Sequence, residues 1–360
     1  MGDKSSPTEG MVDYAVNSLP QKHSIQSRAD DVREMADKVL ASSDEIHIAD
    51  YGCGTGSNAV LSIKPAVESF ADRYPDYFIY VHHVDQAEND WNTLFDCAAG
   101  QDGYTNLSAN IRPTASVGSF FSIAAPASSI DVGTSFGASH WLSTQPLIAS
   151  KGTFWFADLQ GEARLKLKRQ AQRDWEAFLA LRLRELRSGG RLMVSTLGAV
   201  PDASELNGIC SSGRYTYRAM YGIAEKMVND GLISEHALRD FVVPVWFMSR
   251  KEALEPFQRN EELADGFLIE RAEVAPAQQN PEDIFADQIN APEKYAASYK
   301  GFVRSFTEST FRQSLFRSES AHTTETLLNE FYDRFEATIK EGGAKYAFEI
   351  WLLTIELRKQ

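Results

Sequence analysis

Residues 48 to 60 read IADYGCGTGSNAV, and this stretch constrains the fold more than any other. The EIHI before it (Glu45 to Ile48) reads as a buried strand and the VLSIKPAVESF after it as a helix, so three glycines fall on a strand-to-helix turn. Gly52, Gly54 and Gly56 carry no Cβ, which lets the chain turn sharply and a ligand come close to the backbone. The spacing is G-x-G-x-G. It is neither the G-x-G-x-x-G of dinucleotide binding nor a phosphate loop, which needs a lysine followed by serine or threonine. Two readings fit: a turn for a nucleoside-type ligand, or one that only packs a helix on a sheet.

The flanking chain repeats the alternation. A helix is expected from Gln26 to Val39, then strands at Tyr77 to Val84, Ser129 to Phe136 and Arg191 to Gly198, with a long helix from Arg169 to Leu186 before the turn SGG. Strands alternating with helices predict a mostly parallel α/β sheet with right-handed crossovers. After Gly198 the pattern is mainly helical, broken by two late strands, Asp265 to Val274 and Tyr346 to Leu357. The expected organisation is a disordered tail at 1–10, an α/β core at 11–200, a helical cap from inserts 201–264 and 277–341, and returning core strands within 265–276 and 342–360.

Composition narrows the partners. Among 360 residues, 36 basic and 50 acidic side chains leave a formal charge of -14, which repels nucleic acid and acidic membranes. The basic run Arg164 to Arg173 reads as a solvated helix face. No apolar run reaches the roughly 18 residues of a membrane span, and MGDKSSPTEG lacks a signal-peptide apolar region. Cys53, Cys97 and Cys210 show no C-x-x-C spacing, so neither a disulfide framework nor a zinc site is expected. A cytoplasmic protein acting on small molecules follows.

In an open parallel sheet, ligands lie beyond the carboxyl ends of the strands. Asp50 and Asp85 both close apparent strands at that edge. Asp85 is placed to accept from ribose hydroxyls and Asp50 to face an ammonium group, a pairing that suits S-adenosylmethionine; the alternative is that both aspartates cap helices.

With these residues in view, the chain resembles the SABATH family of S-adenosylmethionine-dependent carboxyl methyltransferases. The resemblance runs through YAVNSLPQ (Tyr14 to Gln21), the glycine turn, HVDQAENDWNTLF (His83 to Phe95), VGSFF (Val117 to Phe121), SHWLS (Ser139 to Ser143), SGGRLMVSTLG, EKMVNDGLI (Glu225 to Ile233) and FVVPVW (Phe241 to Trp246), in order over most of the chain. It implies a class I methyltransferase (Rossmann-like) seven-stranded sheet under a helical cap, and by family habit a homodimer. Carried over by position, Ser18, Asp50, Gly52, Asn58, Asp85, Gln86, Ser119, Phe120 and Phe136 contact the cofactor. Gln21 and Trp141 hold the substrate carboxylate with His140 beside them, and Tyr14 is a further substrate-binding position.

The sequence also departs from its relatives. Gly137 stands where a pocket tyrosine is common and Phe136 where a small hydroxyl residue is usual. Tyr217 and Trp246 fall at positions that line the pocket in relatives, and Leu197, at the end of its strand, is expected to join them. Arg214 and Arg218 are either a solvated helix face or a partner for a second acidic group, which would make the substrate a dicarboxylic or polar aromatic acid. Asp158 matches a place where some members bind magnesium, but other ligands are not readable, and no essential metal is expected.

The expected reaction is methyl ester formation on a small aromatic carboxylic or dicarboxylic acid by in-line displacement. A carboxyl group with a pKa near ~4 is already ionised at neutral pH, so no general base is required. The Gln21 amide and the Trp141 indole N–H are neutral donors that aim one lone pair. Such orientation is worth roughly 7 to 11 kcal/mol in favourable cases. The alternatives are N-methylation of a purine-like heterocycle and a silent S-adenosylmethionine-binding partner protein.

Overall fold

The computed structural model describes residues 19–149, 152–199, 213–277, 284–317 and 323–360. The expected tail at 1–10, Tyr14, Ser18 and Cys210 lie outside them, as does the side chain of Gln21. Seven strands form one sheet: β1 (Glu45–Tyr51), β2 (Phe78–Asp85), β3 (Ile111–Val117), β4 (Ile130–Phe136), β5 (Leu186–Leu197), β6 (Phe267–Pro276) and β7 (Trp351–Lys359). Their order is β3-β2-β1-β4-β5-β7-β6. β7 runs antiparallel to both β5 and β6, while the pairs from β3 to β5 are parallel. The sheet is therefore mixed, with one reversed strand, and the strand order changes direction between β1 and β4. That switch point opens a crevice at the carboxyl edge.

Two helix layers close the faces. Helices α1 (Leu19–Gln26), α2 (Ala29–Asp37), α3 (Ser57–Arg73) and α4 (Trp91–Ala99) precede β3, and α5 (Gly161–Glu185) runs into β5. Side chains alternate across a strand, so β1 sends Ile46 and Ile48 to a cluster with Met35, Ile63, Val67 and Phe70. Ala49 and Tyr51 enter the opposite core with Trp175, Phe178 and Leu179 of α5. Beyond β5 come α6 (Arg214–Asn229), four short helical segments between Glu235 and Gly266, α7 (Pro292–Thr310) and α8 (Thr324–Gly342). Phe302 and Phe306 of α7 belong to the same core as Tyr217 of α6 and Phe348. Helical chain thus lies over the carboxyl edge.

Candidate functional site

The glycine turn is built as a close-approach surface. Gly52, Gly54 and Gly56 have φ of 74°, 62° and 70°, in the left-handed region that side chains rarely adopt. A Cβ on Gly52 would lie 2.4 Å from the Ala138 Cβ and 3.2 Å from the Phe120 ring. The amides of Gly52 and Cys53 donate to the Val84 carbonyl at 2.9 and 3.2 Å, which ties the turn to the end of β2.

Two carboxylates face this turn. Asp50 is 1% exposed and accepts from Ser62 Oγ at 2.9 Å and Thr134 Oγ1 at 3.0 Å. Burial pushes its carboxyl up to about 7, although the two hydroxyl donors pull the other way. Asp85 accepts from the backbone N–H of Gly54 at 2.6 Å and of Gln86 at 2.8 Å, and burial raises it despite these bonds. The second carboxylate therefore holds the turn that the first adjoins.

Both line a cleft of about 1110 Å³, with Gly52, Asn58, Gln86, Phe120 and Phe136. No Lys, Arg or His is among its described lining residues, so the cleft suits a ligand that carries hydroxyl and cationic groups rather than phosphate. S-adenosylmethionine fits that description. Ser119 is absent from the lining; its Oγ instead accepts from the Phe121 N–H at 3.1 Å. Cys53, Ser62 and Asn89 also line the cleft, and with Thr134 they escaped the sequence reading. Asn89 lies inside the motif around Asp85, which was the available signal.

A second cavity adjoins the first, sharing Ile25, Phe136, Gly137 and Trp141 with it. His140, Leu197 and Tyr217 line it as expected from the sequence. Gly137 has φ 64° and open space where a Cβ would stand. Trp141 is 6% exposed and bridges to Val245, which pins its segment against FVVPVW. His140 Nδ1 lies 3.0 Å from Thr196 Oγ1, and burial lowers the imidazole to about 3, so the ring is neutral at physiological pH. Tyr217 is buried, which raises its phenol well above the usual range. Ser24 and Ile25 of α1 reach the cavity one helical turn after Gln21. Phe302, Phe306, Phe348, Ile350 and Leu352 complete the wall. These apolar residues read as ordinary core in the sequence and carry no signal of a cavity.

Two expected pocket residues lie elsewhere. Trp246 lines neither cavity; its ring packs on Phe156 at 4.9 Å under the Arg164 guanidinium at 5.9 Å, and only its backbone N–H approaches the site, donating to the His140 carbonyl at 2.9 Å. Arg218 also lines neither. Its Nε and Nη2 donate to Asp158 Oδ2 and Oδ1 at 2.7 and 2.8 Å, and Arg214 Nη2 lies 3.9 Å from the same carboxylate. Consecutive helical residues point about 100° apart, so Tyr217 turned inward leaves Arg218 facing out. Among the described residues no cluster of three His, Cys, Asp or Glu is placed to hold a metal ion.

Comparison with known proteins places this geometry. A model of the family described as "SAM dependent carboxyl methyltransferase" matches residues 6–360. Loganic acid O-methyltransferase of Catharanthus roseus is 28% identical over 64% of this chain, a match that spans 62% of that relative's length. Jasmonate O-methyltransferase of Arabidopsis thaliana is 26% identical over 74% of this chain and 75% of its own. A solved structure of loganic acid methyltransferase with SAH shares the fold over 99% of both chains, with a TM-score of 0.76 at 21% identity. With a seven-stranded class I methyltransferase sheet and a match from residue 6 to the last residue, the chain belongs to the SAM-dependent carboxyl methyltransferase family, the SABATH family that its motifs resemble.

Proposed function

We propose that this chain uses S-adenosylmethionine to methylate the carboxylate of a small, largely apolar acid, and that the two joined cavities divide cofactor from substrate. The observation that carries this reading is the shared boundary of Phe136, Gly137 and Trp141 between an acid-lined cleft and an apolar cavity. Asp50, Asp85, Gly52, Asn58, Gln86, Phe120 and Phe136 would hold the cofactor, with Ser18 and Ser119 assigned by family position alone. When bound, the cofactor supplies the methyl group on an electrophilic sulfonium.

The residues of the second cavity do the positioning. Trp141 supplies an indole N–H and, by family position, Gln21 an amide, two neutral donors that aim the carboxylate without neutralising it as an arginine fork would. His140 lines the same cavity and Tyr14 is assigned there by family position alone, while Gly137, Leu197 and Tyr217 shape the body of the pocket. The acid is already ionised, so no base is assigned. Phe302, Phe306, Phe348 and Leu352 keep water away from the carboxylate. The helical inserts at 201–264 and 277–341 serve as the cap over a core made from the remaining chain. A homodimer belongs to the same proposal by family likeness, and a cytoplasmic setting is supported by the free thiols of Cys53 and Cys97.

Loganic and jasmonic acid, named for the two relatives, belong in the first substrate panel with benzoic, salicylic, indole-acetic and fatty acids, and xanthines serve as the nitrogen control. Transfer of a labelled methyl group should give a base-labile ester on at least one acid. Transfer to xanthines alone would replace this reading with N-methylation.

A further inference from the structure

Thr196 was not singled out by any motif, yet it is the group that His140 leans on. Its side chain is fully buried at the end of β5, and its only hydrogen-bond partner among the described residues is His140 Nδ1, at 3.0 Å. A buried hydroxyl proton without an acceptor costs about 1–3 kcal/mol, and Nδ1 is the acceptor within reach. If the proton goes there, Nδ1 is the accepting nitrogen, and the single proton of a neutral imidazole must sit on Nε2. The ring is neutral, because burial holds its pKa near 3. Trp141, 5.6 Å away centroid to centroid, and Phe247, edge-on at 5.6 Å, fix the plane of the ring.

We propose that Thr196 is a positioning residue that sets the tautomer of His140, so that the imidazole presents an Nε2–H donor to an oxygen of the substrate acid. The inference rests on the carboxylate reading of the second cavity. It adds a third neutral donor to Trp141 and Gln21 and gives His140 a defined polarity: it rejects a substrate that offers a donor at that point and accepts one that offers a carboxylate, carbonyl or ether oxygen. Selectivity of this kind comes from the unpaired group left behind by the wrong partner.

The test combines a spectroscopic and a kinetic readout. Nitrogen-15 NMR of the full-length protein labelled at histidine, with H140Q assigning the signal, should show a protonated Nε2 and an unprotonated Nδ1 between pH 6 and 8. In Thr196→Val the signal should shift toward the other tautomer. kcat/KM for the best acid should fall about ten-fold, the worth of one neutral hydrogen bond, while KM for S-adenosylmethionine holds. Thr196→Ser should restore both. A wild-type signal with the proton on Nδ1 would overturn the proposal without any variant, and so would a tautomer unchanged in Thr196→Val. A correct tautomer that responds to Thr196→Val, in a protein that methylates no acid, would uphold the Thr196 assignment and instead remove the carboxylate reading on which its use depends.

Discussion

Asp50 lines the acid-lined cleft with its carboxyl raised to about 7, chiefly by burial. The ordinary value is about 3.8, so the folded state holds this proton more tightly than the unfolded chain. The stabilisation from Asp50 is full below the unfolded value and is lost as pH rises through 7. Ligand binding should run the other way: a cationic ammonium placed near Asp50 favours the carboxylate and expels the proton. Affinity for S-adenosylhomocysteine should therefore weaken as pH falls below 7, by up to about ten-fold per unit, and level off above it. Calorimetry in two buffers of different ionisation enthalpy should register proton release near pH 6.5, and Asp50→Asn should abolish it. Trp141 offers a second residue-scale test. Trp141→Phe keeps a ring at the cavity boundary but deletes the N–H, so kcat/KM for the acid should drop about 10- to 100-fold. S-adenosylhomocysteine affinity by calorimetry should stay within about two-fold, and an equal loss in both would remove Trp141 from its assigned role. At this scale the sequence was informative where the cleft is lined by neighbours in the chain, as with Asp50 and Gly52 or Asp85 and Gln86. It was silent on Thr134, which reaches Asp50 from 84 residues away. At Arg218 it left two readings open, and the structure turns the guanidinium to Asp158 while its helical neighbour faces inward.

Helix α5 acts as an element by gripping the loop after β3. Arg182 and Glu185 are both fully buried and pair at 2.9 Å through Nε and Nη2. The guanidinium also donates to the carbonyls of Phe120 at 2.7 Å and Ser122 at 3.0 Å. Glu185 accepts from the Ala124 N–H at 2.7 Å and the Tyr51 hydroxyl at 2.9 Å. One ion pair thus ties α5 to the loop that carries Phe120 into the acid-lined cleft and to the end of β1. Removing one charge strands the other in a dry site, which costs about 3–5 kcal/mol. Arg182→Met should therefore lower the midpoint of thermal unfolding and weaken cofactor binding, whereas Arg182→Met with Glu185→Leu should recover part of the stability. Additive losses in the double variant would show that the pair acts through shape and not charge. The elements themselves were largely readable from period and punctuation. The strand expected at Tyr77 to Val84 is Phe78–Asp85, but the long helix begins at Gly161, eight residues before Arg169. β3 went unread because Arg112 and Pro113 break its pattern; as an edge strand it tolerates a residue that cannot donate. The last strand starts at Trp351 and not Tyr346, since Gly343–Tyr346 form a 3-10 turn.

Across the whole molecule, the alternation of strands and helices made the α/β class legible. The reversal of β7 was not, because strand direction depends on pairing between segments about 160 residues apart, such as Arg191 with Arg358. The same limit applies to the second cavity, whose walls converge from α1, β4, β5, α6, α7 and the approach to β7. Its assembled composition bears on a question that the sequence left open. No Lys or Arg lines the cavity among the described residues, its histidine is neutral, and of the two arginines that offered to pair with a second acidic group, Arg218 is bonded to Asp158 and Arg214 lies 3.9 Å from the same carboxylate. A dicarboxylate would have to bury its second charge against phenylalanine and leucine, at a cost of several kcal/mol, or spend a proton to neutralise it. A monocarboxylic acid should therefore exceed its dicarboxylic counterpart of the same carbon skeleton by about 100-fold or more in kcat/KM at pH 8. The gap should narrow as pH falls toward the second pKa of the diacid, because the neutral carboxyl group is cheaper to bury. Arg218→Ala should leave the ratio unchanged, since its guanidinium faces Asp158 and not the cavity. Paired kinetics on benzoic acid and an aromatic dicarboxylic acid, in wild type and Arg218→Ala, measure both quantities. A diacid that matches the monoacid at pH 8, or a ratio that moves with Arg218, would mean that a cation enters the cavity when substrate binds.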